Sequence, residues 1–260
     1  MPKTLIVIPA RMASTRFPGK PKAMIAGRSL LERVWRVASS VPGVDVVVGT
    51  PDEELVAFAA SFGAKAVLTP ESAGKTGSDC AAFVSGKLGG VHDFVLNLQG
   101  DAPLVPPWVV EAVVTTLAAE PEAAVATPIF HLKDEALSRF LESKKAGSLT
   151  GTTCVFDARG YAMYFSKGVI PNLRTPGDEP PVYRHVGLYG YRREALEKFA
   201  ALPQGVFEKA EGLEQLRALE HGIPMRAVLV DLKGRTLASI DHPDDVAYAE
   251  EIIAREGELL

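Results

Sequence analysis

The sequence predicts an α/β fold, a doubly wound, mostly parallel sheet with an inserted β-rich subdomain. Two observations carry this prediction over residues 1–130: apolar runs alternate with helical patterns, and the runs are unbroken, as in strands buried on both faces. The third observation is the change of rhythm after residue 130, where short β-like runs follow one another. We therefore expect a single domain over 1–260, with residues 130–195 as the insert.

The first part of the chain alternates four predicted strands with four predicted helices. The strands are TLIVIPA, VDVVVGT, AKAVLTP and HDFVLNLQGD, and the helices are SLLERVWRVASSV, PDEELVAFAASFG, SDCAAFVSGKLG and PPWVVEAVVTTLAAE. Prolines or acids open the second and fourth helices, and Ser78 or Asp79 is the expected cap of the third. This order predicts a ligand site at the carboxyl ends of the parallel strands.

The second part is predicted to be β-rich before it returns to the α/β body. TGTTCVFDARGYAMYFSK is typical of two short strands around a turn, NLRTPGDEPPV of a proline-rich loop, and YRHVGLYGYRR of one further strand. Helices are expected at REALEKFAAL, EGLEQLRALEHG and PDDVAYAEEIIAREGE, and strands at MRAVLV and RTLASIDHP.

The composition argues against several classes of function. A net charge of −4 disfavours a nucleic-acid surface, which needs a dense basic face. No apolar run approaches the ~18–20 residues of a membrane helix, and the first residues lack the long apolar region of a signal peptide. Cys80 and Cys154 do not have the spacing of zinc ligands, so we expect two free thiols in a cytoplasmic protein.

The loop after the first predicted strand carries an unusual set of polar side chains. It contains IPARMASTRFPGK and continues well beyond the ~2–6 residues of an ordinary strand-to-helix loop. Its cations and hydroxyls suit a polyphosphate, and Gly19 allows the backbone to approach a ligand. The cations are Arg11, Arg16 and Lys20, and the hydroxyls are Ser14 and Thr15. We interpret it as a binding loop; a solvated surface loop is the alternative.

A second polar cluster ends the fourth predicted strand with Gln99-Gly100-Asp101. A carboxylate at the carboxyl edge of a buried strand can hold Mg²⁺, which prefers one or two carboxylates together with phosphate oxygens and water. The second carboxylate is expected from Asp241, at the end of the predicted strand RTLASIDHP. The alternative for each aspartate is a helix cap, Asp101 before Pro106 and Asp241 before the last helix.

Together these motifs resemble one family across almost the whole chain. IPARMASTRFPGKP, TGSD, NLQGDAPLVPP, YRHVGLYGYRREAL, LEQLRALEHG and DHPDD occur in the order found in 3-deoxy-manno-octulosonate cytidylyltransferases, or CMP-Kdo synthetases. The first motif is shared with a wider set of sugar nucleotidyltransferases, whereas YRHVGLYGYR and LEQLR are similar to the Kdo type. The resemblance implies a fold of the nucleotide-diphospho-sugar transferase type, CTP and a sugar acid as substrates, Mg²⁺ as cofactor, and a homodimer. It also implies that the insert contributes to sugar binding and dimerisation.

The resemblance assigns roles to the matching positions. It implies that Lys20, Asp101 and Asp241 are catalytic and that the two aspartates hold Mg²⁺. The implied CTP contacts are Ala10, Arg11, Ser14, Arg16, Lys20, Ser78 and Gln99. The implied sugar-acid contacts are Gln99, Lys167, His185, Tyr189, Glu214 and Gln215. Without the resemblance, the histidine would be interpreted as a half-buried strand residue, and Glu214 and Gln215 as a helix surface.

Three positions depart from the family pattern. The chain has Cys80 where the family has arginine, Ala102 where it has an acid, and Lys167 where it has arginine after YFS. The segment KKAGSLTGTTCVFD also differs from the usual stretch before that strand. A lysine cannot reproduce the bidentate contact of an arginine with a carboxylate, so these changes bear on which sugar acid is used.

The activity predicted from the resemblance is the transfer of CMP from CTP to Kdo or a close 2-keto-3-deoxy sugar acid, with release of pyrophosphate. Two alternatives stay open. One is a sugar nucleotidyltransferase that uses another base or another sugar. The other is a non-catalytic sugar-nucleotide binding protein, which the changes at Cys80 and Lys167 favour. Lipopolysaccharide synthesis and capsule synthesis are both compatible with the predicted product.

Overall fold

The computed structural model describes residues 2–174 and 179–260. In these residues ten strands form one sheet, and two short strands form a hairpin after the N-terminal loop. The strands are β1 Thr4–Pro9, β2 Met24–Ile25, β3 Arg28–Ser29, β4 Val44–Thr50, β5 Lys65–Leu68, β6 Phe94–Leu98, β7 Val125–His131, β8 Thr153–Phe156, β9 Ala162–Ser166, β10 Tyr183–His185, β11 Leu188–Arg192 and β12 Met225–Leu229. The α-helices are α1 Leu30–Ser39, α2 Glu53–Ser61, α3 Gly77–Lys87, α4 Pro107–Ala119, α5 Asp134–Lys145, α6 Arg193–Ala201, α7 Val206–Glu211, α8 Gln215–Glu220 and α9 Asp244–Glu256.

The large sheet has a parallel half and a mixed half. Its strand order is β5-β4-β1-β6-β11-β7-β10-β8-β9, with β12 beside β7. β5, β4, β1 and β6 are parallel, whereas β11 lies antiparallel between β6 and β7. Helices cover both faces, so the predicted doubly wound α/β fold with a mostly parallel sheet is confirmed.

β1 explains why the apolar runs of the sequence are unbroken. Ile6 and Ile8 pack into a core on one face of the sheet, with residues of α1, α4 and α9. Leu5 and Val7 pack into a second core on the other face, with residues of α3, α6 and α8. Because successive side chains enter different cores, all four positions are apolar and fully buried.

The segment YRHVGLYGYRR is two strands, and the prediction of one strand is wrong. β10 pairs with β8 and β7, whereas β11 pairs with β6 and β7. The break falls at Val186 and Gly187, where a Cβ on the glycine would lie 2.3 Å from Gln99 Oε1. The break therefore lets the backbone approach the end of β6. The strands within 130–195 belong to the large sheet, and the division of the chain into a body and an insert stays a prediction.

Several local expectations also need correction. The N-cap of α3 is Thr76, whose Oγ1 accepts a hydrogen bond from Asp79 N at 3.2 Å, rather than Ser78 or Asp79. Residues 235–240 have no regular strand structure, although Ile240 N donates to the Asp101 carbonyl at 2.9 Å. α5 was not predicted from the sequence, and the predicted proline-rich loop lies partly outside the described residues. No helix in the described part of the chain is long and apolar enough to cross a membrane.

Candidate active site

A cleft of about 780 Å³ lies at the carboxyl ends of the central strands. Most of the predicted site residues line it. They are Arg16, Gln99, Asp101, Lys167, His185, Tyr189, Glu214, Gln215 and Asp241. The remaining predicted residues, Ala10, Arg11, Ser14, Lys20 and Ser78, are not part of the lining, although Lys20 contacts the two aspartates.

Asp101 and Asp241 come together around Lys20. The Lys20 ammonium donates to Asp101 Oδ2 at 3.2 Å and to the Ile240 carbonyl at 2.8 Å, and it lies 4.0 Å from Asp241 Oδ1. Arg16 Nη2 donates to the same Asp241 oxygen at 2.7 Å. The loop after β1, the end of β6 and the segment before α9 therefore meet at one charged cluster.

The alternative of two helix caps is wrong for this pair. The N-cap of α4 is Pro106 and the N-cap of α9 is Pro243, so neither Asp101 nor Asp241 occupies a cap position. Asp245 Oδ2 instead accepts the backbone N–H groups of Asp241 and His242, each at 2.7 Å. Both predicted carboxylates are left to face the cleft.

Gly100 brings the end of β6 against the end of β1. A Cβ at this position would lie 2.4 Å from the Pro9 carbonyl oxygen, which is backbone and cannot rotate away. Only glycine permits this approach, because it has no Cβ. The contact places Asp101 beside the loop that carries Lys20.

The donor set of this cluster fits a magnesium ion. Desolvation in the cleft raises the pKa of Asp101, Lys20 opposes the increase, and the Asp241 carboxylate adds to it. Two neighbouring carboxylates are unfavourable unless cations balance them. Magnesium takes one or two carboxylates and completes its shell with phosphate oxygens and water. Within the described residues, no set of three or more acidic, histidine or cysteine ligands forms, so a magnesium ion held by this pair would need oxygens from outside the chain.

The other predicted residues of the N-terminal loop lie apart from the cleft lining. Ala10 N donates to the Gly49 carbonyl at 2.9 Å and ties the start of the loop to β4. Ser14 Oγ accepts from Phe17 N at 3.3 Å, so it shapes the turn of the loop. The Arg11 side chain is exposed to solvent. The CTP contacts assigned to these three residues stay predictions.

His185 lines the cleft as a neutral imidazole. Burial lowers its pKa to about 3, and the charge of Lys167 contributes to the decrease. Its Nε2 lies 2.7 Å from Thr127 Oγ1, and that hydroxyl donates to the Leu188 carbonyl at 2.7 Å. Because the single hydroxyl proton is used there, Nε2 carries the imidazole proton and Nδ1 is left as an acceptor.

Tyr189 and Gln215 form a neutral hydrogen-bonding pair in the lining. Tyr189 Oη donates to Gln215 Oε1 at 2.9 Å, and burial raises the pKa of the tyrosine well above its ordinary value. Gln215 is fully buried, and its Nε2 has no partner among the described residues. A buried donor without a partner is costly, so this amide is suited to an oxygen of a ligand in the cleft.

Glu214 joins the cleft to two buried residues behind it. Its Oε2 accepts from Ser78 N at 3.0 Å, and its Oε1 accepts from Asn97 Nδ2 at 3.1 Å. Burial raises the pKa of Glu214, while the Ser78 N–H opposes the increase. The Ser78 hydroxyl lies 2.9 Å from Tyr191 Oη, so this serine supports the cleft from behind. Asn97 opens the quoted motif NLQGDAPLVPP, but no role was predicted for it from the sequence.

A buried ion-pair network under the cleft was also missed. Arg217 donates from Nη1 to Asp79 Oδ1 at 2.9 Å and from Nη2 to Glu208 Oε1 at 2.7 Å. It joins α8 to α3 and α7. Asp79 and Arg217 lie within the quoted motifs TGSD and LEQLR, and Glu208 lies outside them, so sequence spacing does not indicate the network.

The three departures from the family pattern lie in different places. Ala102 and Lys167 line the cleft, whereas Cys80 is buried beneath β4, where a Cβ on Gly49 would lie 2.5 Å from its Sγ. Burial, together with the charges of Asp79 and Glu214, raises the pKa of the Cys80 thiol to about 12. Cys80 and Cys154 are both free, as expected, and both are buried.

Comparison with known proteins gives concordant matches. A family model described as cytidylyltransferase matches residues 5–230. A 3-deoxy-manno-octulosonate cytidylyltransferase of Maricaulis maris is 51% identical over 257 residues, which cover 98% of this chain and 99% of that protein. The protein of the same name from Myxococcus xanthus is 42% identical, with 98% of each chain covered.

A solved structure is similar over the same length. It is CMP:2-keto-3-deoxy-manno-octonic acid synthetase complexed with CTP, with a TM-score of 0.85 and 32% identity. The match covers 98% of this chain and 99% of that one. The fold similarity therefore includes the strands of 130–195 as well as the parallel half of the sheet.

Proposed function

Because the chain belongs to the 3-deoxy-manno-octulosonate cytidylyltransferase family, and is thus a nucleotidyltransferase, we propose that it transfers CMP from CTP to a sugar acid. The acceptor we propose is 3-deoxy-manno-octulosonate or a close 2-keto-3-deoxy analogue. One observation supports this most: Asp101, Asp241, Lys20 and Arg16 form a charged cluster at a cleft whose lining also holds the neutral hydrogen-bonding groups of His185, Tyr189 and Gln215. Charged groups suit phosphates, and neutral groups suit sugar hydroxyls.

In the proposed reaction, the anomeric hydroxyl of the sugar acid attacks the α-phosphorus of CTP. A bond forms between that oxygen and the α-phosphorus, the bond to the bridging oxygen breaks, and pyrophosphate leaves with the electron pair. The hydroxyl proton passes to solvent. Such a transfer depends mainly on positioning and charge stabilisation.

Different residues of the chain would bind the phosphates, the sugar acid and the magnesium ion. Lys20 and Arg16 would balance the charge that develops on pyrophosphate. His185 Nδ1 would accept a hydrogen bond from a sugar hydroxyl, and Gln215 Nε2 would donate one. Asp101 and Asp241 would hold Mg²⁺. When bound, the ion would neutralise phosphate charge and lower the pKa of the attacking hydroxyl.

Two alternatives compete with this proposal. Another base or another sugar would keep the chemistry but change the substrates. A non-catalytic binding protein would keep the cleft and lose the transfer, and Lys167 in the lining is the feature that favours it. A homodimer and a cytoplasmic location stay predictions of the sequence analysis.

The test is pyrophosphate release with CTP and Mg²⁺ against Kdo, 8-amino-Kdo, a sialic acid and no sugar, with ATP, GTP and UTP in parallel. We expect release with CTP and a 2-keto-3-deoxy sugar acid, and none without sugar. Release with a different base or only with sialic acid would favour the other nucleotidyltransferase. CTP binding without release in any reaction would favour the binding protein.

A further inference from the structure

One half-buried cation near the cleft has no role in the assignments above. The Lys144 ammonium, at the end of α5, donates to three backbone carbonyls, those of Ser148 at 3.2 Å, Gly151 at 2.8 Å and Lys167 at 2.6 Å. These three bonds use all three of its protons. Lys144 lies in the segment KKAGSLTGTTCVFD, which departs from the family pattern.

The backbone of Lys167 is held from the other side as well. Glu211 Oε2 accepts from Lys167 N at 2.8 Å, and Glu211 Oε1 accepts from Ser166 Oγ at 2.8 Å. The N–H of Lys167 is thus fixed by a carboxylate and its carbonyl by an ammonium. Charge-assisted bonds of this kind are about twice as strong as neutral ones.

The side chain of Lys167, in contrast, is free to meet a ligand. It lines the cleft, and in the described part of the chain no hydrogen bond or ion pair engages its ammonium. Burial lowers the pKa of Lys167, while the Asp241 carboxylate opposes the decrease. The ammonium therefore interacts electrostatically with the charged cluster. A lysine is a flexible point charge, and its position in the cleft depends on where its backbone is held.

We propose that Lys144 is a positioning residue for sugar-acid binding: it holds the Lys167 carbonyl and thereby places the Lys167 ammonium where it meets the carboxylate of the sugar. The inference rests on the proposed function, since it names a determinant of specificity in the same cleft. It gives a physical reason why a lysine can stand where the family has an arginine.

The first test compares Lys144→Met with Lys145→Met, a matched control that removes the same charge from the exposed neighbouring position. We expect the first variant to raise KM for the sugar acid about tenfold, the effect of losing one charge-assisted contact, and to leave KM for CTP within about twofold. The control should leave both constants unchanged. Equal sugar KM in wild type and Lys144→Met overturns the inference.

A double-mutant cycle then asks whether Lys144 acts through Lys167. Lys167→Met alone should raise the sugar KM, and the double variant should bind the sugar no more weakly than Lys167→Met. Fully additive effects contradict a shared role. Lys144→Arg keeps N–H donors for the three carbonyls, so it should restore most of the affinity for the sugar acid. If Lys144→Met does not fold, Lys144→Arg still allows the comparison with wild type.

The pH dependence gives a readout that a purely structural role would not move. Burial, together with the charges of Lys167 and Arg184, lowers the pKa of Lys144 to about 8, and Glu211 opposes the decrease. Above that pH the neutral amine has two protons for three carbonyls. The sugar KM of the wild type should therefore rise between pH 7 and 9 more steeply than that of Lys144→Met, and parallel profiles overturn the inference.

Calorimetric titration of Kdo into the protein with CTP and without Mg²⁺ separates this inference from the proposed function. Wild-type protein that binds Kdo but never releases pyrophosphate refutes the proposed function, and the dissociation constants of the variants still decide the inference. Wild-type protein that does not bind Kdo refutes the inference as well.

Discussion

Replacing Gly100 by alanine tests the close contact that places the Asp101 carboxylate. The added Cβ would lie 2.4 Å from the Pro9 carbonyl oxygen, whereas ordinary contacts begin at 3.4 Å, so the ends of β1 and β6 must separate by about 1 Å. Because the N-terminal loop follows Pro9, this separation moves Asp101 relative to Lys20. A misplacement of about 1 Å in an active site can lower the rate about 100-fold.

The assay is kcat/KM for pyrophosphate release, together with urea unfolding. Gly100→Ala should lower kcat/KM about 100-fold and the free energy of unfolding by about 1–3 kcal/mol, since overpacking strains the backbone. The control is Gly86→Ala in α3, where a Cβ meets no atom within 4 Å. In this variant the better helix propensity of alanine should raise the free energy of unfolding by up to about 1 kcal/mol and leave kcat/KM unchanged. Wild-type kcat/KM in Gly100→Ala would refute the reasoning.

Three further predictions concern single groups of the site. Asp101→Asn should lower turnover about 100-fold or more across a Mg²⁺ titration, with the free energy of unfolding within about 1 kcal/mol; unchanged turnover would contradict the metal role. His185 is buried and has a pKa of about 3, compared with 6.5 for the free side chain. Between these two pH values the folded state therefore binds fewer protons than the unfolded state. The contribution of His185 to the free energy of unfolding is therefore present above pH 6.5 and is lost as the pH falls toward 3. An NMR titration should show a neutral imidazole ring from pH 8 to 5, and a titration midpoint near 6.5 would contradict this prediction. Arg217→Met would leave Asp79 and Glu208 buried without a counter-charge and should lower the free energy of unfolding by about 3–5 kcal/mol, measured in urea; a loss below about 1 kcal/mol would be inconsistent with the network.

The parts of the fold that sequence patterns could predict are those with two buried faces. β1 is apolar at successive positions because its side chains enter two cores, and this pattern needs no knowledge of the partners. The break between β10 and β11 could not be predicted in this way. Alternation is the same on both sides of it, and the break depends on the contact of Gly187 with Gln99, 88 positions away in the sequence.

Some residues of the candidate site could likewise be predicted from local sequence patterns, and others could not. Lys20, Asp101 and Asp241 stand in motifs at the ends of predicted elements, so sequence reasoning could place them together. Arg217 pairs with Asp79 across 138 positions, and nothing in the local pattern indicates the contact. Lys144 is harder still, because its partners are backbone carbonyls, which every residue type carries.

The predicted strand RTLASIDHP shows why a short apolar stretch is an incomplete guide. Leu237, Ala238 and Ile240 lie in it, yet the segment has no regular strand structure. One backbone bond, from Ile240 N to the Asp101 carbonyl at 2.9 Å, still holds its end beside β6. Asp241 therefore reaches the expected place through a contact of a different kind from the one predicted.

The central claim is attack of the sugar acid on the α-phosphorus of CTP, and ³¹P NMR of the protein with CTP, Mg²⁺ and Kdo tests it most directly. We expect the CTP signals to be replaced by one phosphodiester resonance of a CMP-sugar and by pyrophosphate in equal amounts. Inorganic phosphate with CDP, which would mean attack at the γ-phosphorus, or an unchanged CTP spectrum at high protein concentration, would contradict it.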